Sequence, residues 1–352
     1  MSELNINFRD IEPYVPGEQP QYPDKIKLNT NENPYPPSPQ VKKVLDSFNT
    51  DDLKLYPDPN ASELVEAIAD YYAVDKKNVF VGVGSDDVLA MCFMAFFNSG
   101  RPIIFPDITY SFYPVWANLF GVKYETKPLD DNFQIVKEDY FCENGGVIFP
   151  NPNAPTGVEL SLDVIEEIVR YNSDRVVIVD EAYVDFGAKS ALPLIQKYKN
   201  LVVVQTFSKS RSLAGLRIGF AIANEELISV LNAVKNSYNS YTMNSLTIKA
   251  GAAAIADDSY FKQTTDKIVE TRENAKIQLS KLGFEFNDSK SNFIFARHKS
   301  VKAVDIFNAL REKHIFVRYF NQSRIDNYLR ITIGTDEEMQ ALIDFLTDYL
   351  SD

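Results

Sequence analysis

Short apolar runs alternate with longer amphipathic segments through most of this chain, and that alternation predicts a layered α/β fold. Runs of strand length stand at 79–83, 102–105, 122–124, 146–149, 176–179 and 201–205. Between them, apolar positions three and four apart predict helices; in 61–72 they fall at 64, 65, 68, 69 and 72. Further helices are predicted over 41–48, 88–97, 110–120 and 162–171. Strands that are apolar on both faces belong in a largely parallel sheet covered by helices on each side. Beyond Phe220, helical material is predicted from 225 to 256, including the small-residue stretch 250–256, and a long helix over 260–282. Strands at 292–296, 315–319 and 329–334 with helices at 304–313 and 337–350 make a second, smaller α/β unit. The expected division is an N-terminal arm (1–30), a large domain (31–245) and a small C-terminal domain (246–352).

Prolines and asparagines crowd residues 13–39, which excludes a long helix there and predicts an extended segment that wraps over the body. No apolar stretch reaches the roughly 18 residues a membrane helix needs, and the first ten residues have no leader pattern. At 352 residues and net charge -13, the chain is long enough for two domains and too acidic for a nucleic-acid surface. Cys92 and Cys142 form no C-x-x-C, and His298 and His314 stand far from any carboxylate motif, so neither a disulfide framework nor a metal site is expected. A cytoplasmic protein that engages neither nucleic acid nor membrane is the expectation.

Candidate chemistry gathers where strands end. In open α/β sheets ligands bind beyond the carboxyl ends of the strands. Four polar clusters occupy that position: G-S-D-D after 79–83, N-P-N-A-P-T-G after 146–149, D-E-A-Y after 176–179, and T-F-S-K after 201–205. The last continues to Arg217, eight residues beyond Lys209. An amine that condenses with an aldehyde, two hydroxyls and a planar guanidinium suit a ligand that carries both an aldehyde and a phosphate. Pyridoxal phosphate is such a ligand. Asp180 would keep its ring nitrogen protonated, Asn153 and Tyr183 would donate to its ring oxygen, and the N–H groups of Ser85 and Asp86 at a helix start would hold its phosphate.

With these blocks in view, the chain resembles the fold-type-I pyridoxal-phosphate aminotransferases, in the branch that includes histidinol-phosphate aminotransferase. N-P-N-A-P-T-G, D-E-A-Y and S-K-x-x-x-L-A-G-L-R-I-G-F carry the likeness, with Y-V-P-G, N-E-N-P-Y, L-Y-P-D-P, P-D-I-T-Y-S-F-Y and Y-L-R-I-T-I-G-T extending it over nearly the whole chain. The resemblance implies that Lys209 carries the cofactor and shuttles the proton, Asp180 partners the ring nitrogen, and Asn153 and Tyr183 partner the ring oxygen. It assigns Ser85, Asp86, Thr206, Ser208 and Arg217 to the phosphate, Tyr110 to the ring face, and Tyr56 to a reach from one subunit of a homodimer into the other. Arg330 matches the arginine that binds the substrate carboxylate, and Arg318 and Tyr14 match the pair that meets a substrate phosphate. In the lysine block, Ser210 and Arg211 replace the small residue and aromatic of S-K-A-F or S-K-A-Y.

The activity so implied is a ping-pong transamination between an amino donor and a 2-oxo acid. Two arginines fit a phosphate monoester better than a lone carboxylate, which favours L-histidinol phosphate and 2-oxoglutarate as the pair, in histidine biosynthesis. Aromatic-amino-acid aminotransferases, and lyases or decarboxylases of the same fold such as phosphothreonine decarboxylase, share most of these blocks. A non-enzymatic nucleotide-binding α/β protein is the alternative from another class.

Overall fold

The computed structural model describes Arg9 and residues 11–351, so most of the first ten residues of the expected arm lie outside the described residues. In chain order the elements open with β1 (Ile26–Lys27), α1 (Pro39–Ser47), α2 (Ser62–Tyr72), β2 (Val79–Gly82), α3 (Ser85–Phe96), β3 (Ile103–Pro106), α4 (Phe112–Phe120) and β4 (Tyr124–Lys127). There follow β5 (Val147–Pro150), α5 (Leu162–Tyr171), β6 (Val177–Asp180), β7 (Leu201–Thr206), β8 (Gly219–Ala223), α6 (Glu225–Tyr238), α7 (Ser245–Ala256) and α8 (Asp258–Lys281). The chain closes with β9 (Phe284–Phe286), β10 (Phe293–His298), α9 (Ala303–Glu312), β11 (Ile315–Phe316), β12 (Arg318–Tyr319), β13 (Leu329–Thr332) and α10 (Asp336–Ser351).

Seven strands form the main sheet in the order β2-β8-β7-β6-β5-β3-β4. Pairings among β3, β4, β5, β6 and β7 are parallel, and only β8 runs against its neighbours β2 and β7. Successive side chains of a strand point to opposite faces, and both faces here are sealed. Val147, Phe149, Val177, Val179, Leu201 and Val203 pack with α2, α5 and α7, while Ile148, Ile178, Val202 and Val204 pack with α3, α4 and α6. This is why the central strands read as unbroken apolar runs. The small residues of α7 let it close on the body: a Cβ at Gly251 would stand 2.8 Å from Ile218 and 2.9 Å from Leu64.

The second unit is a four-stranded antiparallel sheet, β12-β13-β10-β9, buried against α8, α9 and α10. The strand expected over 315–319 divides within that unit. Ile315 and Phe316 pair with the arm at Ile26 and Lys27, whereas Arg318 and Tyr319 pair with Arg330 and Leu329. The arm thereby becomes part of the second unit's framework. The helical material expected from 225 to 256 is also two helices: Asn239 takes an extended conformation, and the Asn244 side chain caps α7 by accepting from Thr247 N at 2.8 Å. Tyr110, expected inside a helix, stands two residues ahead of α4. No described helix is long and apolar enough to cross a membrane.

Candidate active site at the strand ends

Parallel strands β5, β6 and β7 end side by side, and the polar segments that follow them meet over a cavity of about 300 Å³. That volume is at the lower end of the range for small-ligand pockets. Ser85, Asp86, Tyr110, Asp180, Tyr183, Thr206, Ser208, Lys209 and Arg217 all line it. From the opposite wall come Arg318 and Arg330, and from the arm Tyr14.

One end of the cavity is a cradle of donors. Gly84, at φ +88, turns β2 into α3, whose first-turn N–H groups have no partner inside the helix. Strand β8 backs directly onto this turn: a Cβ at Gly219 would lie 2.2 Å from the backbone nitrogen of Ser85. Arg217 lies over Gly84 and donates from Nη2 to Asp86 Oδ2 at 3.1 Å, while Tyr110 Oη donates to Asp86 Oδ1 at 2.8 Å. Ser208 N donates to Thr206 Oγ1 at 3.1 Å, which sets the two hydroxyls side by side.

Asp180 ends β6 and is 4% exposed. Its Oδ2 accepts from Tyr113 Oη at 2.9 Å and its Oδ1 from Ala182 N at 3.3 Å. Burial outweighs these bonds and pushes the carboxyl up to about 7. Lys209 donates from Nζ to the arm carbonyl of Thr30 at 3.2 Å, with the amine 5.8 Å from the ring centre of Tyr183. Tyr183 Oη accepts from Asn31 Nδ2 at 2.9 Å, which leaves the phenolic proton free to point into the cavity.

At the other end, Arg330 donates from Nη2 to Asn29 O at 3.0 Å, and its guanidinium lies between Phe293 and Phe320 at 5.4 and 5.6 Å. Burial holds it below the usual arginine range. Arg318 is its cross-strand partner, and like charges placed opposite each other are destabilising unless an anion lies between them. Among the described residues neither forms a salt bridge, and Nε of Arg330 is buried without a partner. Tyr14 stacks on Phe112 with ring centres 4.2 Å apart.

Two expected residues stand apart from the cavity wall. Asn153 is buried behind it, its Nδ2 donating to Ile108 O and Thr156 Oγ1 at 3.0 Å each, with Oδ1 unpartnered. Tyr56 is 81% exposed and stacks on Tyr241 at 4.7 Å. Sequence reasoning missed Asn31 and Tyr113. Asn31 had a usable signal, since Asn tolerates its positive φ of 56° and sits in a turn-rich block. Tyr113 offered none beyond helical periodicity.

The donor set fits a flat ring carrying phosphate, aldehyde and a basic nitrogen. The cradle shaped by Gly84 and Gly219 suits the phosphate, and the buried acid at Asp180 suits the nitrogen. The sequence profile of the class I and II aminotransferases matches residues 23–346. The histidinol-phosphate aminotransferase of Brachyspira hyodysenteriae is 56% identical over 344 residues, covering 97% of this chain and 97% of its own. That of Lactococcus lactis subsp. cremoris strain MG1363 is 52% identical over 344 residues, covering 98% of this chain and 97% of its own. The solved histidinol-phosphate aminotransferase of Sinorhizobium meliloti, in complex with pyridoxal-5'-phosphate, superposes with a TM-score of 0.81 at 23% identity, covering 92% of this chain and 90% of that one.

Two outcomes are expected. Gly219→Ala must push strand β8 off the start of α3, and urea denaturation should show a loss of about 3 kcal/mol or more, with weaker retention of pyridoxal phosphate on dialysis. Asp180 has a folded value above its ordinary 3.8, so the folded state holds a proton the unfolded chain gives up, and stability falls as pH rises from about 4 to about 7. Cofactor-free Asp180→Asn should therefore melt above the wild type at about pH 8 and gain little at about pH 4, while the cofactor-loaded pair should rank the other way. A cofactor-free variant melting below the wild type at the higher pH would contradict the assignment of that cost.

Proposed function

We propose, for a chain that belongs to the class I and II aminotransferase family, that it transaminates L-histidinol phosphate with 2-oxoglutarate, in histidine biosynthesis, using pyridoxal phosphate. The observation that carries the choice of substrate is the opposed pair Arg318 and Arg330 on one cavity wall. A phosphate monoester carries nearly two negative charges at neutral pH and can accept from both guanidiniums and the Tyr14 hydroxyl. The same wall receives the α-carboxylate of glutamate at Arg330 in the second half of the cycle.

Pyridoxal phosphate supplies an aldehyde for the donor's amine and a ring that takes up the electrons released when the α-carbon loses its proton. Thr206, Ser208, Arg217 and the N–H groups of Ser85 and Asp86 hold the phosphate, and the Asp86 carboxylate steadies Arg217 and Tyr110 beside it. Asp180 keeps the ring nitrogen charged, since a buried carboxyl gains most from a cation in contact with it. Tyr110 covers the ring face, and Tyr183 donates to the ring oxygen. Asn153 would be its second partner, from behind the cavity wall. Lys209 Nζ would hold the cofactor's aldehyde carbon and, once displaced by the substrate amine, would take the α-proton and hand it on, so that a single amine serves both transfers. The Thr30 carbonyl gives the freed amine a fixed berth between the two.

The enzyme works as a homodimer in the cytoplasm. Tyr56 completes the partner's phosphate site, a reading supported by the exposure of Leu53, Leu55, Tyr56, Tyr238 and Tyr241. Free thiols at Cys92 and Cys142 suit a reducing compartment.

Rapid mixing of the loaded enzyme with histidinol phosphate, phenylalanine and phosphothreonine in parallel should convert the bound cofactor to its amine form fastest with the first. Preference for phenylalanine, or release of carbon dioxide from phosphothreonine, would replace this reading. Lys209→Ala should lose both the visible absorbance of the linked cofactor and turnover. Arg318→Met should lower kcat/KM for histidinol phosphate about a hundredfold, and that for glutamate far less, because only the former leaves a charge unpaired. Equal losses would contradict the phosphate assignment.

A further inference from the structure

On the side of Lys209 turned away from the cavity, the chain holds a charged cluster that the chemistry above leaves unused. It is built from the two residues that depart from the family pattern, Ser210 and Arg211, which are 2% and 7% exposed, and from Asp185. Ser210 Oγ donates to Asp185 Oδ2. The Arg211 guanidinium packs on the rings of Phe261, Tyr71 and Phe207 at 4.1, 4.9 and 5.4 Å, and donates from Nη1 to Ala254 O at 2.9 Å. Asn33 Nδ2 meets the carbonyls of Lys209 and Ser210 at 3.1 and 3.2 Å.

Position gives this cluster its meaning. Strands β6 and β7 pair with each other as far as Asp180 and Val204, β7 continues against β8 to Thr206, and the turns that carry Tyr183 and Lys209 lie beyond both ladders. Asp185 lies two residues past Tyr183, and Ser210 directly follows Lys209. We propose that Asp185, Ser210 and Arg211 are positioning residues: the Asp185–Ser210 hydrogen bond ties the two turns together, and Arg211 anchors the tie. Burial pushes the Asp185 carboxyl up, while Ser210 and the Arg211 charge pull it back. A small residue and an aromatic at 210 and 211 could fill the same space and could not make this connection. The guanidinium is held by three rings and a carbonyl, which fixes the backbone next to Ser210.

The inference rests on Lys209 and Tyr183 acting on the cofactor as described above. Its test compares Ser210→Ala, Ser210→Thr and wild type in the cofactor-loaded enzyme, by steady-state kinetics and by the pH midpoint of the visible absorbance. Thermal melting of the cofactor-free proteins is the third reading. Ser210→Ala should lower kcat about tenfold with KM for histidinol phosphate unchanged within about twofold, because positioning and not binding is lost. Its absorbance midpoint should rise, since a loosened Tyr183 stabilises the ring-oxygen anion less and the neighbouring proton is held more tightly. Ser210→Thr, which keeps the hydroxyl, should restore both values. Wild-type kcat and midpoint in Ser210→Ala, or a loss that Ser210→Thr leaves uncorrected, would overturn the proposal. Should Ser210→Ala fail to fold, Asp185→Ala, which removes the acceptor, carries the same measurements with the same expected directions. A wild-type enzyme lacking the visible band would refute the Lys209 reading instead, so the two failures are distinguishable.

Discussion

A buried carboxyl group at the end of β6, on the cavity wall, is the constraint around which the rest of the molecule is arranged. Moving Asp180 from 3.8 to about 7 corresponds to a cost on the order of 4 kcal/mol for holding it ionised. That cost remains after the hydrogen bonds from Tyr113 Oη and Ala182 N have lowered it. A cation lying against the carboxylate would meet that cost, and in the function proposed above the protonated ring nitrogen would be that cation. Site and cofactor are thus complementary in free energy as well as in shape. The protein carries an unfavourable group that becomes favourable on loading.

Sheet topology decides what else can reach this point. Parallel strands deliver their C-terminal ends to one edge, so the segments after β5, β6 and β7 meet without any long connection. The arm adds what the sheet cannot. By pairing β1 with β11 it brings Asn29, Thr30 and Asn31 between the two units, where Asn31 orients Tyr183 and Thr30 receives the Lys209 amine. Arg272 joins the units from α8 as well, donating from Nη1 to the carbonyls of Phe186 and Ser291 at 2.8 Å. The opposed arginines come from the second unit's sheet, where register alone places Arg318 across from Arg330. A phosphate held by these arginines and Tyr14 would therefore bridge both units and the arm.

Much of this was legible in the chain before any coordinates. The apolar runs at β5, β6 and β7 announced parallel strands because both faces are covered, and chemistry followed from which polar blocks came next. What stayed hidden depended on tertiary register. The run 315–319 is uniformly strand-like, and nothing local says that it serves two sheets. The break at 239–244 is a matter of capping by Asn244, and the preceding polar residues are compatible with helix. Tyr113 looks like any core aromatic until the fold brings its hydroxyl to Asp180. Ser210 and Arg211 were visible as departures from the family block, and only the fold shows what they touch.

Nuclear magnetic resonance of the enzyme loaded with an isotope-labelled ring reads the protonation state of the cofactor's ring nitrogen directly. The ring nitrogen should stay protonated in the wild-type enzyme at neutral and mildly alkaline pH and should lose its proton in the Asp180→Asn protein. An unprotonated nitrogen in the wild type, or one that keeps its proton without the carboxylate, would contradict the pairing of that nitrogen with Asp180.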